Sequence, residues 1–252
     1  MIVYKSPEEI DRMRRAGRVV ALTIERLSNE VRPGMTTADL DAIAERSIRG
    51  EGCTPSFKGY KGFTGSICAS LNEEVVHGIP GRRRIREGDL LSLDVGAIWD
   101  GYHGDSAVSL FVGEPPSDVA EKLVRVTEES LEAGISRLRP GGRLSDVGAE
   151  VQRVVEGAGF SVVREYVGHG IGRDMHEDPP IPNYGEPGRG PAIRPGLVVA
   201  VEPMVNVGGW ETRVLKDRWT VVTADGSLSA HFEHTIAVTE DGPEVLTARL
   251  EA

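Results

Sequence analysis

The chain has 252 residues, 39% of them hydrophobic and 27% charged, a composition typical of a globular protein of one large domain or two small ones. Its formal net charge of −10 argues against nucleic-acid binding, and no stretch holds the roughly 18 apolar residues that a membrane span needs. Charged residues near the start exclude the apolar core of a signal peptide there, and the two cysteines form no disulfide framework, which favours the cytoplasm.

Four helices are predicted along the chain. The first begins at "SPEE", residues 6–9, where Ser6 can cap the helix and an acid follows three residues later. Apolar residues then repeat on one helical face to about Val31, and "RPG" at 32–34 ends the pattern. The remaining helices are expected over about 37–49, 117–138 and 145–157. The basic run at 82–84 is interpreted as a solvated loop.

Strands are predicted between and after these helices. A long pair at 89–99 and 102–112 is joined by Asp100-Gly101, a strong signal for a two-residue hairpin. Further strands are expected over about 160–166, 197–205, 219–223 and 228–238.

Four segments of the first half are echoed, in the same order, in the second half. "IREGDLLSLD" at 85–94 aligns with "IRPGLVVAVE" at 193–202, which pairs Asp94 with Glu202. "DSAVSLFVGEP" at 105–115 aligns with "EHTIAVTEDGP" at 233–243, which pairs Asp105 with Glu233. The sequence therefore predicts one α+β domain over 1–252, made of pseudo-symmetric halves at about 1–115 and 116–252. Its helices should pack on one face of a curved, mostly antiparallel sheet.

The aligned acids predict a metal centre. Asp94 lies in the apolar stretch "LLSLDVGAI", where an ionised carboxylate is costly unless it is paired or bound to metal. The hairpin register places Asp94 and Asp105 on one sheet face, about 6–8 Å apart. Their like charges repel each other, and a cation would relieve the repulsion. A single buried Asp is often only hydrogen-bonded, but four aligned acids are harder to explain in that way.

Two further acids and a histidine complete the predicted set. Glu202 in "LVVAVEPMV" and Glu233 in "SAHFEHTIAV" repeat the buried-strand pattern, and His169, expected on a loop, is the natural fifth ligand. Oxygen-rich ligation with one imidazole suits Mn, Fe, Co or Zn, and bridging carboxylates allow two ions. A phosphate-binding loop at "GHGIG" is not favoured, because the required glycine spacing and the following helix are missing.

The motifs "HGIP", "DVGAIWDGYHGDSA", "GHGIG…MHEDP", "VVAVEPM" and "SAHFEHT" resemble those of the type I methionine aminopeptidases, which have the pita-bread fold. The resemblance covers essentially the whole chain. It implies a dinuclear metallopeptidase that removes the initiator methionine from nascent polypeptides when the second residue is small. Asp105 and Glu233 would bridge the two ions, Asp94 would bind one, and His169 with Glu202 would bind the other.

The resemblance also implies catalytic and substrate-binding roles. His77 would contact the scissile amide, His176 would stabilise the tetrahedral intermediate, and Glu202 would shuttle a proton. The residues expected to line the methionine pocket are Tyr60, Phe63, Cys68, Met175 and Trp219. Met175 stands where an aromatic residue is common, but a thioether can still pack against methionine.

The remaining expectations concern partners and alternatives. The family suggests a monomer that acts on nascent chains without nucleic acid or membrane as a partner, and docking on the ribosome is left open. Because Ile2 is bulky, the chain should keep its own Met1. The alternatives are another pita-bread enzyme, such as an Xaa-Pro peptidase, and a non-catalytic binding member. The first usually carries an extra N-terminal domain, for which the chain has no room, and the second typically loses metal ligands.

Overall fold

A computed structural model describes residues 1–249 of the chain. The described residues form four α-helices, a short 3-10 helix at Tyr60–Gly62, and many short strands. The α-helices are α1 (Pro7–Glu30), α2 (Thr37–Gly50), α3 (Asp118–Ile135) and α4 (Ser145–Gly157). The strands of the first half are β1 (Thr54–Pro55), β2 (Ile67–Leu71), β3 (Glu74–Val76), β4 (Leu90–Trp99) and β5 (Tyr102–Phe111). Those of the second half are β6 (Ser161–Val162), β7 (Gly168–Gly170), β8 (Glu177–Ile181), β9 (Val198–Val201), β10 (Met204–Asn206), β11 (Thr212–Val214), β12 (Val221–Thr223), β13 (Ser229–His231), β14 (His234–Thr239) and β15 (Gly242–Val245).

The helix starts follow the local chemistry that the sequence predicts. Ser6 accepts a hydrogen bond from the Glu9 backbone, and the Glu9 carboxylate accepts one from the Ser6 backbone, which satisfies two otherwise free N–H groups. Thr36 and Asp39 repeat this capping box at the start of α2. All four predicted helices are confirmed to within three residues at each end.

Every strand pair among the described residues is antiparallel, as predicted. One sheet contains β1, β4, β2 and β5, with β4 paired to the other three, and a second has the order β15-β14-β9-β7-β8. Two smaller sheets have the orders β13-β10-β6 and β11-β12-β3. Helix α1 packs across β4 and β5, and α3 packs against α4. No helix of residues 1–249 is long and apolar enough to cross a membrane.

The hydrophobic core joins the two halves. Its largest cluster contains Leu27 and Leu93 from the first half and Val199 and Ile236 from the second, each at most 1% exposed. The expected arrangement of helices on antiparallel sheets around a shared core is confirmed. Treating the whole chain as one catalytic domain remains a prediction.

The hairpin of β4 and β5 has the predicted register. Asp100 and Gly101 both have positive φ, at 46° and 78°, as a two-residue hairpin turn requires. Gly96 lies opposite Asp105, and a β-carbon at Gly96 would come within 2.8 Å of the Phe57 ring. Glycine at that position therefore lets the segment after β1 approach the hairpin closely.

Four predictions about the second half are wrong in detail. The single strand expected over 197–205 is two strands, β9 and β10, in different sheets, because the chain turns at Glu202-Pro203 and proline cannot donate to a ladder. The strand expected over 228–238 is likewise split into β13 and β14. His169, expected on a loop, lies in β7. The strand expected over 160–166 is only Ser161–Val162.

Candidate metal centre

Two of the predicted acids lie on the β4–β5 hairpin. Asp105 pairs with Gly96 and Asp94 pairs with Ala107, so the two carboxylates are diagonal neighbours on one face, as the hairpin signal predicted. Asp105 is 3% exposed. The Asp105 backbone N–H donates to the Thr235 hydroxyl, and that hydroxyl donates to the Asp105 carbonyl, at 2.9 and 2.8 Å. A strand of the second half therefore holds the first-half acid in place.

The other two acids lie at the breaks between strands. Glu202 directly follows β9, and Glu233 lies between β13 and β14. The Glu233 N–H donates to the Ala107 carbonyl at 2.9 Å, and the Ala107 N–H donates back at 3.3 Å. This backbone pair connects the hairpin to the second half, and it places Glu233 beside Asp105.

His169 faces the acids from β7. Its Nε2 atom lies 3.6 Å from Glu202 Oε1 and 4.0 Å from Asp105 Oδ2. Its Nδ1 atom lies 2.9 Å from the Gly170 carbonyl, so Nδ1 carries the proton and the Nε2 lone pair faces the site. Burial lowers the pKa of His169 to about 3, which keeps the ring neutral, as a metal ligand must be.

The four carboxylates are electrostatically unfavourable without a cation. Burial raises the pKa of Asp94 to about 7. Burial, and then the neighbouring negative charges, raise the pKa of Asp105, Glu202 and Glu233 well above the usual range. Buried oxygens of Asp94, Asp105 and Glu233 have no hydrogen-bond partner among the described residues, although most buried polar atoms do.

A divalent cation would relieve both the repulsion and the missing partners. One ligand atom each from Asp105, His169 and Glu233 lies within 4.8 Å of the others, close enough to share an ion. The donors are carboxylate oxygens and one imidazole, a set that suits transition-metal ions. The residues therefore fit the metal that the sequence predicts.

All of the predicted site residues line one cavity of about 170 Å³. It is lined by Tyr60, Phe63, Cys68, His77, Asp94, Asp105, His169, Met175, His176, Glu202, Trp219 and Glu233, together with Phe57 and Lys61. The apolar residues among them form a hydrophobic cluster of their own. Part of the cavity lining is therefore acidic and part is apolar. Such a cavity suits a ligand with a charged end and an apolar side chain.

The other two histidines of the cavity are held differently from His169. His176 lies with its ring centroid 4.2 Å from that of His169, and its Nδ1 atom is 2.9 Å from the Tyr60 hydroxyl. His77 has a positive φ of 60°, a strained backbone of the kind often found at functional sites. Its ring meets Trp219 edge-on, with 6.1 Å between centroids. Burial lowers the pKa of His77 to about 4 and also lowers that of His176.

Sequence reasoning missed three residues of this region. Phe57 and Lys61 line the cavity but lie where no element was predicted. His231 lies behind the acids, with its Nε2 atom 3.7 Å from Glu202 Oε2. A signal for His231 was present, because alternation along a strand puts residues 231 and 233 on the same side.

The fold and the site together define a class: an α+β protein of antiparallel sheets whose buried centre can hold divalent metal. The sequence pattern of metallopeptidase family M24 matches residues 11–240. Methionine aminopeptidase 1 of Bacillus subtilis is 57% identical over 247 residues, which cover 98% of this chain and 99% of that protein. Methionine aminopeptidase of Clostridium perfringens is 52% identical with the same coverage. The chain belongs to metallopeptidase family M24, among its methionine aminopeptidases.

Solved structures agree with this assignment. The crystal structure of methionine aminopeptidase from Thermotoga maritima has a TM-score of 0.97 and 48% identity, and covers 99% of this chain and 100% of that one. Prolidase from Pyrococcus furiosus has a TM-score of 0.81 and 20% identity, and this chain covers 66% of it. That second likeness concerns the fold alone.

Proposed function

We propose that this chain removes the N-terminal methionine from nascent polypeptides whose second residue is small. One observation carries the proposal: the four acids and His169 share a single cavity with an apolar cluster that includes Phe63, Met175 and Trp219. The acidic lining attracts the substrate's free α-ammonium group, and the apolar lining accepts an unbranched, uncharged side chain. Relatives named methionine aminopeptidase, at 45–57% identity over nearly the full length, support the same substrate.

Two divalent ions are proposed at the acidic end of the cavity. Asp105 and Glu233 would bridge them, Asp94 would hold one, and His169 with Glu202 would hold the other. Co²⁺, Mn²⁺, Fe²⁺ and Zn²⁺ all suit these donors. When bound, such ions supply an activated water and polarise the scissile carbonyl.

Glu202 is proposed to move the proton. Its carboxylate is 14% exposed and lines the cavity, so it can reach both water and substrate. In the metal-free site, burial raises its pKa well above the usual range. It would take a proton from the attacking water and return that proton to the leaving amine.

His77 and His176 are proposed to hold the scissile peptide group. Both rings are neutral at pH 7, because burial lowers their pKa. When the Tyr60 hydroxyl donates to Nδ1 of His176, Nε2 carries the proton and can donate to the oxygen on which negative charge develops. His77 would contact the amide nitrogen from the other side of the pseudo-symmetric site.

The cellular setting is part of the proposal. The chain acts as a monomer in the cytoplasm, where nascent chains leave the ribosome. Cys53 and Cys68 are free and buried, which agrees with a reducing compartment. Sedimentation at micromolar concentration tests the monomer, and a dimer would contradict it.

Peptide turnover tests the activity. Protein loaded with Co²⁺ or Mn²⁺ should release methionine from Met-Gly-containing peptides, leave Xaa-Pro peptides intact, and lose its turnover in Asp105→Ala. Absence of turnover with every divalent metal tried would overturn the enzyme assignment. Cleavage of Xaa-Pro peptides alone would support the other pita-bread activity.

A further inference from the structure

A buried histidine lies behind the candidate metal centre, and one of its ring nitrogens has no partner within residues 1–249. His231 is 2% exposed and does not line the cavity. Its Nε2 atom has no hydrogen-bond partner among the described residues. Burial lowers the pKa of His231 to about 3, so the ring is neutral and one of its two nitrogens carries a proton.

The backbone of His231 is fixed from both sides. Its N–H donates to the Ser109 hydroxyl at 2.8 Å, and that hydroxyl donates to the His231 carbonyl at 2.9 Å. On the other side His231 pairs with Met204 in the ladder of β13 and β10. These contacts fix the position of the His231 Cα atom, so its imidazole ring is attached to a rigid backbone.

The Glu202 carboxylate lies between two imidazoles. Glu202 Oε1 is 3.6 Å from Nε2 of His169, and Glu202 Oε2 is 3.7 Å from Nε2 of His231. Both distances are slightly longer than a hydrogen bond. Hydrogen bonds of this kind often tighten only when the site is loaded.

We propose that His231 is a positioning residue for Glu202, donating a hydrogen bond from Nε2 to Oε2 and leaving Oε1 directed toward His169. This inference rests on the proposed function, since it assigns Glu202 the proton transfer. Because His231 does not line the cavity, it acts on the reaction only through the Glu202 carboxylate.

Loss of the donor should affect metal binding and turnover but not substrate binding. An unheld Glu202 carboxylate can rotate away from His169, so it would bind metal less well and accept the proton in a poorer orientation. Changes behind metal ligands typically cost about 10- to 100-fold in metal affinity or activity. KM should stay within about threefold, because no pocket residue is altered.

Two amide variants make a matched test. The side chain of His231→Gln reaches about as far as Nε2 of histidine and keeps a donor, whereas that of His231→Asn is one methylene shorter and cannot reach Glu202. His231→Leu removes the donor at similar size. Steady-state kcat and KM on a Met-Gly peptide, calorimetric titration of the metal-free protein with Co²⁺, and thermal melting should be measured for each variant.

We expect kcat and Co²⁺ affinity to fall at least tenfold in His231→Asn and His231→Leu, while His231→Gln keeps both within about threefold. The inference would be overturned if His231→Asn and His231→Gln had the same kcat and the same Co²⁺ affinity, whether both variants were unaffected or both were impaired. If His231→Leu does not fold, the amide pair decides alone. A wild-type chain without turnover is the failure of the proposed function, whereas an active wild type with an unaffected Asn variant is the failure of this inference alone.

Discussion

The two halves of the chain supply the same chemistry from different backbones. Asp94 and Asp105 lie within one continuous hairpin, whose register the Asp100-Gly101 turn sets. Glu202 and Glu233 lie at chain breaks where strands of different sheets begin and end. The placement of Asp94 relative to Asp105 is therefore set by local geometry, and that of Glu202 relative to Glu233 by contacts between distant segments.

The histidines show a second asymmetry. His77 and His169 occupy matching places in the repeat, in "HGIP" and "HGIG". Only His169 lies within 4.0 Å of the acids through its Nε2 atom, while His77 packs edge-on against Trp219. The pseudo-symmetric fold has therefore placed one imidazole toward the acids and the other toward the apolar part of the cavity.

The largest effect is expected at Asp105 and Glu233, the two acids that are aligned in the internal repeat. Both have an unpartnered buried oxygen, and both are proposed to bridge the ions. Asp105→Asn and Glu233→Gln should each lower kcat/KM on a Met-Gly peptide by more than about 100-fold. This loss exceeds the loss expected when a residue behind the ligands is substituted. Asp100→Asn, at the exposed turn, is the matched control and should leave turnover unchanged. A small effect of either buried variant would contradict the symmetric bridging role.

Substitutions of the aligned histidines His77 and His169 should distinguish the roles of the two halves. His169→Asn should lower both Co²⁺ affinity and kcat by about 10- to 100-fold or more, because it removes a ligand. His77→Asn should lower kcat by a similar factor through loss of the contact to the amide, and should leave Co²⁺ affinity unchanged. Calorimetry combined with peptide kinetics measures both quantities. Weaker metal binding in His77→Asn would disprove the division of roles.

A smaller effect is expected where the halves meet across the cavity. The Tyr60 hydroxyl of the first half lies 2.9 Å from Nδ1 of His176 in the second. Tyr60→Phe keeps the ring against the methionine side chain but no longer fixes the His176 tautomer, so kcat should fall about tenfold, as for loss of about 1.4 kcal/mol. KM should change little. Phe63→Tyr, a hydroxyl added nearby, controls for polarity. A rise in KM alone would assign Tyr60 to substrate binding only.

The metal-free centre should make stability depend on pH. The folded pKa of Asp94, about 7, lies above the unfolded value of about 3.9. A carboxylate whose pKa is higher in the folded than in the unfolded protein stabilises the fold at low pH. This contribution is complete at pH values below the pKa of the unfolded chain, and it is lost as the pH rises through the folded pKa of about 7. The depressed pKa of His169, about 3, matters only below about pH 6.5. The free energy of unfolding of the metal-free protein should therefore fall between pH 6.5 and 8.5.

Added metal should reverse that loss. Mn²⁺ at about 100 times its dissociation constant contributes about 2.7 kcal/mol, or roughly 5–10 °C in Tm for a chain of this size. Thermal melting with and without EDTA, at pH 6.5 and 8.5, measures both effects. A Tm that is the same in EDTA and Mn²⁺ would contradict a buried metal centre.

The smallest effect concerns the chain's own N-terminus, far from the ligands in sequence. The Met1 ammonium pairs with Asp178 in β8, and Ile2 is bulky. Intact mass spectrometry should find Met1 retained, whereas Ile2→Ala should lose one methionine with no change in kcat. Loss of Met1 from the wild-type chain would contradict selection for a small second residue.

The helices, the hairpin and the identity of the acids can be predicted from patterns in the amino-acid sequence. Capping boxes, hairpin turns and strand alternation depend on residues that are close in the chain. Ser6 therefore predicts the start of a helix, and Asp100-Gly101 predicts a hairpin turn. The repeat then pointed to Glu202 and Glu233, because an aligned acid in an apolar strand is costly without a partner.

How these parts meet depends on contacts between distant segments of the fold. The chain passes from one sheet to another at Glu202, and the Glu233 backbone is held by Ala107 of the first half. The contact between Tyr60 and His176 joins residues 116 positions apart, and His231 gains meaning only beside Glu202. Local patterns carry no information about such distant pairs, whose positions are set by packing of the shared core.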